Sequence, residues 1–250
     1  WKMHCNFLKN LKTGGQIVKK LNQLIDNLKI ISKPSPNFSI RRDNAYPSII
    51  VLHYTAMDSA YDALERLCDP ETEVSSHYLI DEKGQIFFLV DEENRAWHAG
   101  EGSWGNCEDI NSSSIGIELS NSGEAPFSFL LMQSLVFLIN KITNRWNIKP
   151  NNIIGHSDLA PGRKKDPGRH FDWAWLEFLE LVSKSVSINF DYDFWNNLEK
   201  IGYMLPVLAS QKLDVIEAFR ARHCQNNYGP LNEKDIFMAS GVVKRLKNSI

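Results

Sequence analysis

The chain has 250 residues, 43% hydrophobic, 11% aromatic and 23% charged, with a formal net charge of −2. That length and composition suit one substantial globular domain, or a medium domain with a small companion, built without staples. The near-neutral balance excludes a nucleic-acid binder, which carries a basic excess. No apolar run approaches the ~20 residues needed to cross a bilayer, and no secretory signal is visible. The opening Trp1-Lys2-Met3 leaves two readings, Met3 as the natural start or an upstream segment that is missing. Cys5, Cys68, Cys107 and Cys224 are too dispersed for a CxxC zinc site or a small disulfide scaffold, and read as free thiols.

The first zone, 1–45, is a basic extension with nine Lys/Arg against Asp26 and Asp43. Ile17, Val18, Leu21, Leu24, Ile25, Leu28 and Ile31 fall at helical spacing, with Lys19, Lys20 and Lys29 largely off the stripe. Gly14-Gly15 precedes this helix, and Pro34 and Pro36 end it. Such a helix either lies on an anionic membrane surface or packs its stripe on the main domain; packing is favoured.

The second zone, 46–182, alternates strand and helix signals. Ser48–His53 is a β-rich apolar run typical of a buried strand. A helix follows near Ser59–Cys68. Strands at His77–Ile80 and Gln85–Val90 flank the turn-forming Asp81-Glu82-Lys83-Gly84. Ser114–Leu119 is a third strand, and Phe129–Trp146 a long helix with Leu130, Leu131, Leu135, Leu138, Ile139 and Ile142 inward. Ile153-Ile154 is a short strand, and Trp173–Val182 a closing helix. The expected fold is α/β (α+β), a central mixed β-sheet flanked by helices. The third zone, 188–250, holds three short helical patterns and reads as a small helical domain, marginal alone.

Three metal-capable side chains stand at strand ends or in loops. His53 ends the first strand, His156 follows Ile153-Ile154-Gly155, and Asp166 lies ten residues on. Two imidazoles and a carboxylate suit an open zinc site, with the fourth position left for water or substrate. Gly155 and Pro161-Gly162 keep the loop tight. Taken singly, each is as readily a hydrogen-bonded core or surface residue. In Ile115-Gly116-Ile117-Glu118-Leu119-Ser120, the period of two puts Glu118 on the face opposite the isoleucines. It is either a solvated carboxylate or a general base. Lys164 is either one charge of the Arg163-Lys164-Lys165 run or a cation aimed at an oxyanion.

Leu52-His53-Tyr54-Thr55-Ala56, Val74–Ile80, Ala96-Trp97-His98-Ala99-Gly100, Ser114–Leu119 and Gly155–Pro161 with Lys164–Gly168 occur in one order. Together they resemble the N-acetylmuramoyl-L-alanine amidases of type 2 (AmpD/AmiD-like), relatives of peptidoglycan recognition proteins and of T7-type phage amidases. The resemblance covers about 46–180. It implies that His53, His156 and Asp166 ligate Zn2+, that Glu118 is the catalytic glutamate, and that Lys164 is the catalytic lysine; the offset from Asp166 selects Lys164 over Lys165. It also implies that His77, Trp97 and His98 line the substrate cleft. The implied substrate is peptidoglycan or a muropeptide, cut between the muramic acid and L-alanine; the alternative is a non-catalytic recognition module. A monomer is expected. The implied location is left between cytoplasm and cell envelope. Residues 188–250 faintly resemble a three-helix peptidoglycan-binding domain, with Arg220 where that pattern has Gln.

Overall fold

A computed structural model describes residues 30–188 and 191–247. The amphipathic helix expected from Ile17 lies outside them, except for Ile31. The first four strands are β1 (Ile31–Ser32), β2 (Phe38–Ile40), β3 (Ile49–Tyr54) and β4 (Tyr78–Ile80). They are followed by β5 (Ile86–Phe88), β6 (Asn94–Ala96), β7 (Ser114–Leu119) and β8 (Ile153–Gly155). The helices are α1 (Ala60–Cys68), α2 (Ile110–Ser113), α3 (Phe129–Trp146), α4 (His156–Leu159), α5 (Trp173–Phe178), α6 (Phe194–Ile201), α7 (Lys212–His223) and α8 (Glu233–Lys247).

Six strands form one mixed sheet in the order β1-β5-β4-β7-β3-β8, and β2 pairs with β6 in a small antiparallel sheet. β4, β7, β3 and β8 run parallel, and the antiparallel β4–β5 hairpin joins them to the edge. β3 is apolar from Ile49 to Leu52 because both its faces are covered. One face carries Ile50, Leu52, Ile115, Ile117 and Leu119 into a core closed by Leu131, Leu135, Leu138, Ile139 and Ile142 of α3. Ser128 Oγ caps α3 by accepting the Leu131 N–H at 3.1 Å, and Asn147 ends it in the left-handed region (φ 53°).

The other face carries Ile49, Val51 and Ile154 into a second core. Phe194, Leu198, Ile201, Val215, Phe219, Val242 and Val243 of α6, α7 and α8 close it. The C-terminal helices therefore share a hydrophobic core with the sheet, and no break in packing falls at residue 188. Burying a large apolar side chain contributes about 1.5–3 kcal/mol, so this shared core overcomes the marginality expected of 60 residues alone.

Three expectations need correction. The boundary at residue 45 moves, because β1 pairs with β5 and β2 with β6. Arg41, grouped above with a basic extension, is buried and donates to the carbonyls of Glu92 (2.8 Å), Ser112 (2.7 Å) and Ser114 (3.0 Å). Burial lowers its pKa to about 10, with Glu92 opposing. The closing helix stops at Phe178, and Glu180 takes a left-handed turn (φ 62°). Leu179 and Val182 nevertheless reach the first core.

Candidate active site

The carboxyl ends of three adjacent parallel strands deliver the polar residues, the place where α/β sheets characteristically bind ligands. His53 and Glu118 are register partners on β3 and β7. Parallel partners point to the same face, the one opposite α3. His156 follows β8 directly and opens the one-turn helix α4. Asp166 returns beside it, where its carbonyl accepts the Ser157 N–H at 2.9 Å.

The three ligand atoms converge. His53 Nδ1 and His156 Nδ1 are 2.9 Å apart, and each is 3.0 Å from Asp166 Oδ2. Among the described residues this is the one cluster of metal-capable side chains so arranged. The hydrogen bonds behind the rings decide what the facing nitrogens carry. His156 Nε2 is 2.8 Å from the Ala99 carbonyl, which can only accept. The proton is therefore on Nε2, leaving a lone pair on Nδ1. Ser114 Oγ donates to the Ile110 carbonyl at 2.6 Å, so it accepts from His98 Nε2 at 3.1 Å. His98 Nδ1 is then the acceptor for the His53 Nε2–H at 3.1 Å. His53 Nδ1 is left bare as well. Two lone pairs and a carboxylate oxygen meet at one point, which is a donor set for a cation. Tetrahedral ligands 2.0–2.1 Å from a metal stand about 3.3 Å apart, close to the spacing here. The residues present fit a divalent metal.

The electrostatics agree. Burial, with His156 adding, lowers the His53 pKa to about 4 against the pull of Asp166, so the ring is neutral at pH 7. Burial alone would raise Asp166, but its hydrogen bonds with His156 and His53 hold it well below the usual carboxylate range. Neutral imidazole and ionised carboxylate are the forms a metal requires. Glu118 behaves oppositely. Burial first, and the negative Asp166 second, raise its pKa to about 8, while Lys164 opposes. Part of Glu118 faces the cleft, yet Oε2 is closed off from solvent and has no hydrogen-bond partner. Such a group is poised to take up a proton and release it near neutrality. The charge of Lys164 acts on both Glu118 and His53.

The cleft over these groups has a volume of about 450 Å³ and is lined by Trp97, His98, Glu118, Lys164 and Lys165 beside the trio. A second hollow of about 510 Å³ shares Tyr54, Lys164 and Lys165 with it, and Leu213, Asp214 and Glu217 of α7 wall its far side. His77 does not reach either. It is wholly buried just before β4, where Nδ1 accepts the Gly116 N–H at 3.0 Å and Nε2 donates to the Asn94 carbonyl at 3.1 Å. Its place among the cleft-lining residues is corrected: it ties β7 to β6. His98 borders the cleft but spends both nitrogens on Ser114 and His53. A Cβ on Gly116 would meet the His98 ring at 2.5 Å, so only glycine lets this ring lie against β7.

His98 fixes the tautomer of His53, so its loss should be felt at the metal. His98→Leu is expected to weaken divalent-metal binding about 10- to 100-fold, the usual cost of losing such a partner. Competition against a chromogenic chelator measures this; unchanged affinity would remove His98 from the ligand's support. Sequence reasoning also missed Arg163, whose guanidinium donates to the carbonyls of Ala99 (2.7 Å) and Glu101 and so docks the loop carrying Lys164 and Asp166. In the sequence it is one cation in a run of three, with no local mark.

Comparison with known proteins places this geometry. The family described as N-acetylmuramoyl-L-alanine amidase matches residues 43–169. The chain is similar to the amidase AmiD of Escherichia coli, 40% identical over 167 residues, spanning 59% of each chain. It thus aligns with well under two thirds of that relative's length. It is also similar to the 1,6-anhydro-N-acetylmuramyl-L-alanine amidase AmpD of Citrobacter freundii, 36% identical over 61% of this chain and 89% of that one. A solved structure of E. coli AmiD superposes with a TM-score of 0.70 at 31% identity, covering 81% of this chain and 91% of that chain. That structure holds anhydro-N-acetylmuramic acid-L-Ala-D-gamma-Glu-L-Lys as substrate.

Proposed function

Since the chain belongs to the N-acetylmuramoyl-L-alanine amidase family, matched over residues 43–169, we propose that it hydrolyses the amide bond between N-acetylmuramic acid, or its 1,6-anhydro form, and the L-alanine of a peptidoglycan stem peptide, using Zn2+. The observation that carries this reading is the pairing of His53 with Glu118 on neighbouring strands, beside His156 and Asp166. It sets a proton acceptor next to a cation site. A non-catalytic recognition module has no use for a half-buried carboxylate with an unpartnered oxygen there.

His53, His156 and Asp166 would hold the metal. Bound Zn2+ supplies Lewis acidity toward the scissile carbonyl and lowers the pKa of a water to about 7. Glu118 takes the proton of the attacking water through its cleft-facing side and returns it to the departing L-alanine nitrogen. Lys164 offers its ammonium to the oxyanion that develops on the lactyl carbonyl. Trp97, half-buried with its backbone N–H held by Ser75 Oγ at 2.9 Å, offers an indole face to the sugar or the first peptide unit. The two joined hollows leave room for a stem peptide to run from Lys164 toward α7.

The test is hydrolysis by the zinc-loaded protein of two substrates, the anhydromuramyl tripeptide and intact sacculi, with released peptide identified by mass spectrometry. Free peptide beginning with L-alanine is expected from at least one. A zinc-loaded protein that releases none from either would refute the proposal.

A further inference from the structure

The buried carboxylate of Asp158 lies two residues beyond His156 and is 1% exposed. Its Oδ2 accepts the Gly155 N–H at 2.8 Å, and Gly155 immediately precedes His156. The backbone on both sides of this ligand is therefore anchored to one side chain. The remaining capacity of that carboxylate is filled from the C-terminal helices. Tyr203, just after α6, donates its hydroxyl to Asp158 Oδ1 at 2.5 Å. Arg222 of α7 donates Nη1 to Oδ2 at 3.0 Å. We infer that Tyr203 and Arg222 are positioning residues of the metal site, holding the His156 turn in place through Asp158. This inference rests on the reading of His53, His156 and Asp166 as metal ligands.

Both donors are themselves fixed. The Arg222 guanidinium lies over the Trp173 ring, 4.7 Å from its centroid. The Tyr203 ring meets Trp104 edge-on at 5.1 Å, and the Gly105 N–H donates to the Gly202 carbonyl at 2.8 Å behind it. The turn has no slack on its other side. A Cβ on Gly155 would meet Pro167 Cδ at 2.6 Å, and Ser157 is bonded to the Asp166 backbone. His53 stands on the sheet, whereas His156 and Asp166 stand on this turn and loop. A shift of α4 would move two of the three ligands against the third. A buried ion pair is by itself weak ground for a claim of stability. Here it ends on the residue next but one to a ligand, where displacement changes coordination rather than only folding free energy.

An internal control exists in the same helices. Arg220 donates to both oxygens of Asp235, at 2.9 and 2.6 Å, in a buried pair that does not touch α4. The experiment compares Tyr203→Phe, Arg222→Met and Arg222→Lys with Asp235→Asn. Three readouts are taken: the Zn2+ dissociation constant by chelator competition, the visible absorption of the Co2+-loaded protein, and thermal unfolding of the metal-free protein. Tyr203→Phe and Arg222→Met are expected to weaken Zn2+ binding about tenfold or more and to alter the Co2+ spectrum. Arg222→Lys, which keeps the cation, should recover part of the affinity. Asp235→Asn should lower the unfolding temperature yet leave affinity and spectrum unchanged. Wild-type affinity and spectrum in Tyr203→Phe and Arg222→Met would overturn the inference, as would losses in all variants that merely track their unfolding temperatures. A wild-type chain that binds neither Zn2+ nor Co2+ would instead sink the metal-site reading itself.

Discussion

Glu118→Gln is expected to leave the metal trio loaded and to lower turnover by about 10³-fold, within the range that proton transfer by a positioned group contributes. Glutamine keeps the volume and polarity of the side chain but cannot accept a proton from water. Zinc content measured beside peptide release separates the two effects; near-normal turnover in a zinc-replete variant would sink the assignment. A second consequence carries a sign. In the metal-free protein the Glu118 carboxyl titrates near 8 rather than 4.5, so the folded state binds its proton more tightly than the unfolded chain. Between these values the unfolded chain is ionised while the folded state must keep the proton or bury a charge. The fold therefore loses stability as pH rises from 4.5 through 8. Glu118→Gln removes that penalty. The metal-free variant should unfold at a higher temperature than the parent at pH 8, and at a similar temperature at pH 4.5. Equal shifts at both pH values would contradict a raised pKa.

Asp166→Ala is expected to abolish both metal retention and hydrolysis. Its Oδ2 is the one anionic atom at the convergence point, 3.0 Å from each imidazole. Without it the two Nδ1 lone pairs face each other with no negative charge to hold a cation. The loss should exceed the 10- to 100-fold attached to outer partners such as His98. Metal per chain after dialysis is the direct readout, and stoichiometric zinc in the variant would remove Asp166 from the ligand set. In the parent, the His53 ring takes a proton only as pH falls through about 4, so His53 sets no barrier to metal retention in mildly acidic buffer.

The parts of this molecule that follow local pattern were legible. β7 was readable because isoleucines alternate with small or polar residues, and that alternation placed Glu118 on the face away from α3. α3 matched its expected span because an apolar stripe runs between the Ser128 cap and Asn147. The small sheet of β2 and β6 was not readable. Its strands have three residues each and come from segments more than fifty residues apart, too short to show a period. Arg41 looked like a surface cation because nothing local announces the backbone carbonyls that surround it. His77 and His98 were read alike as cleft-lining histidines, yet one ties strands together and the other holds His53; only the partners of each ring nitrogen distinguish them. Asp158, Tyr203 and Arg222 meet across 45 and 64 residues of chain. Such a meeting leaves no spacing to recognise.

The pairing of His53 with Glu118 has a consequence for how this scaffold can change over time. Their separation is set by the rung spacing of a hydrogen-bonded ladder, and not by the shape of any loop. Insertions or deletions between strands can remodel the walls of the cleft, while Glu118 and His53 keep their mutual distance. A one-residue slip of β7 against β3, by contrast, would turn Glu118 toward α3 and end the chemistry at once. Variation is cheap at the rim and forbidden along the ladder.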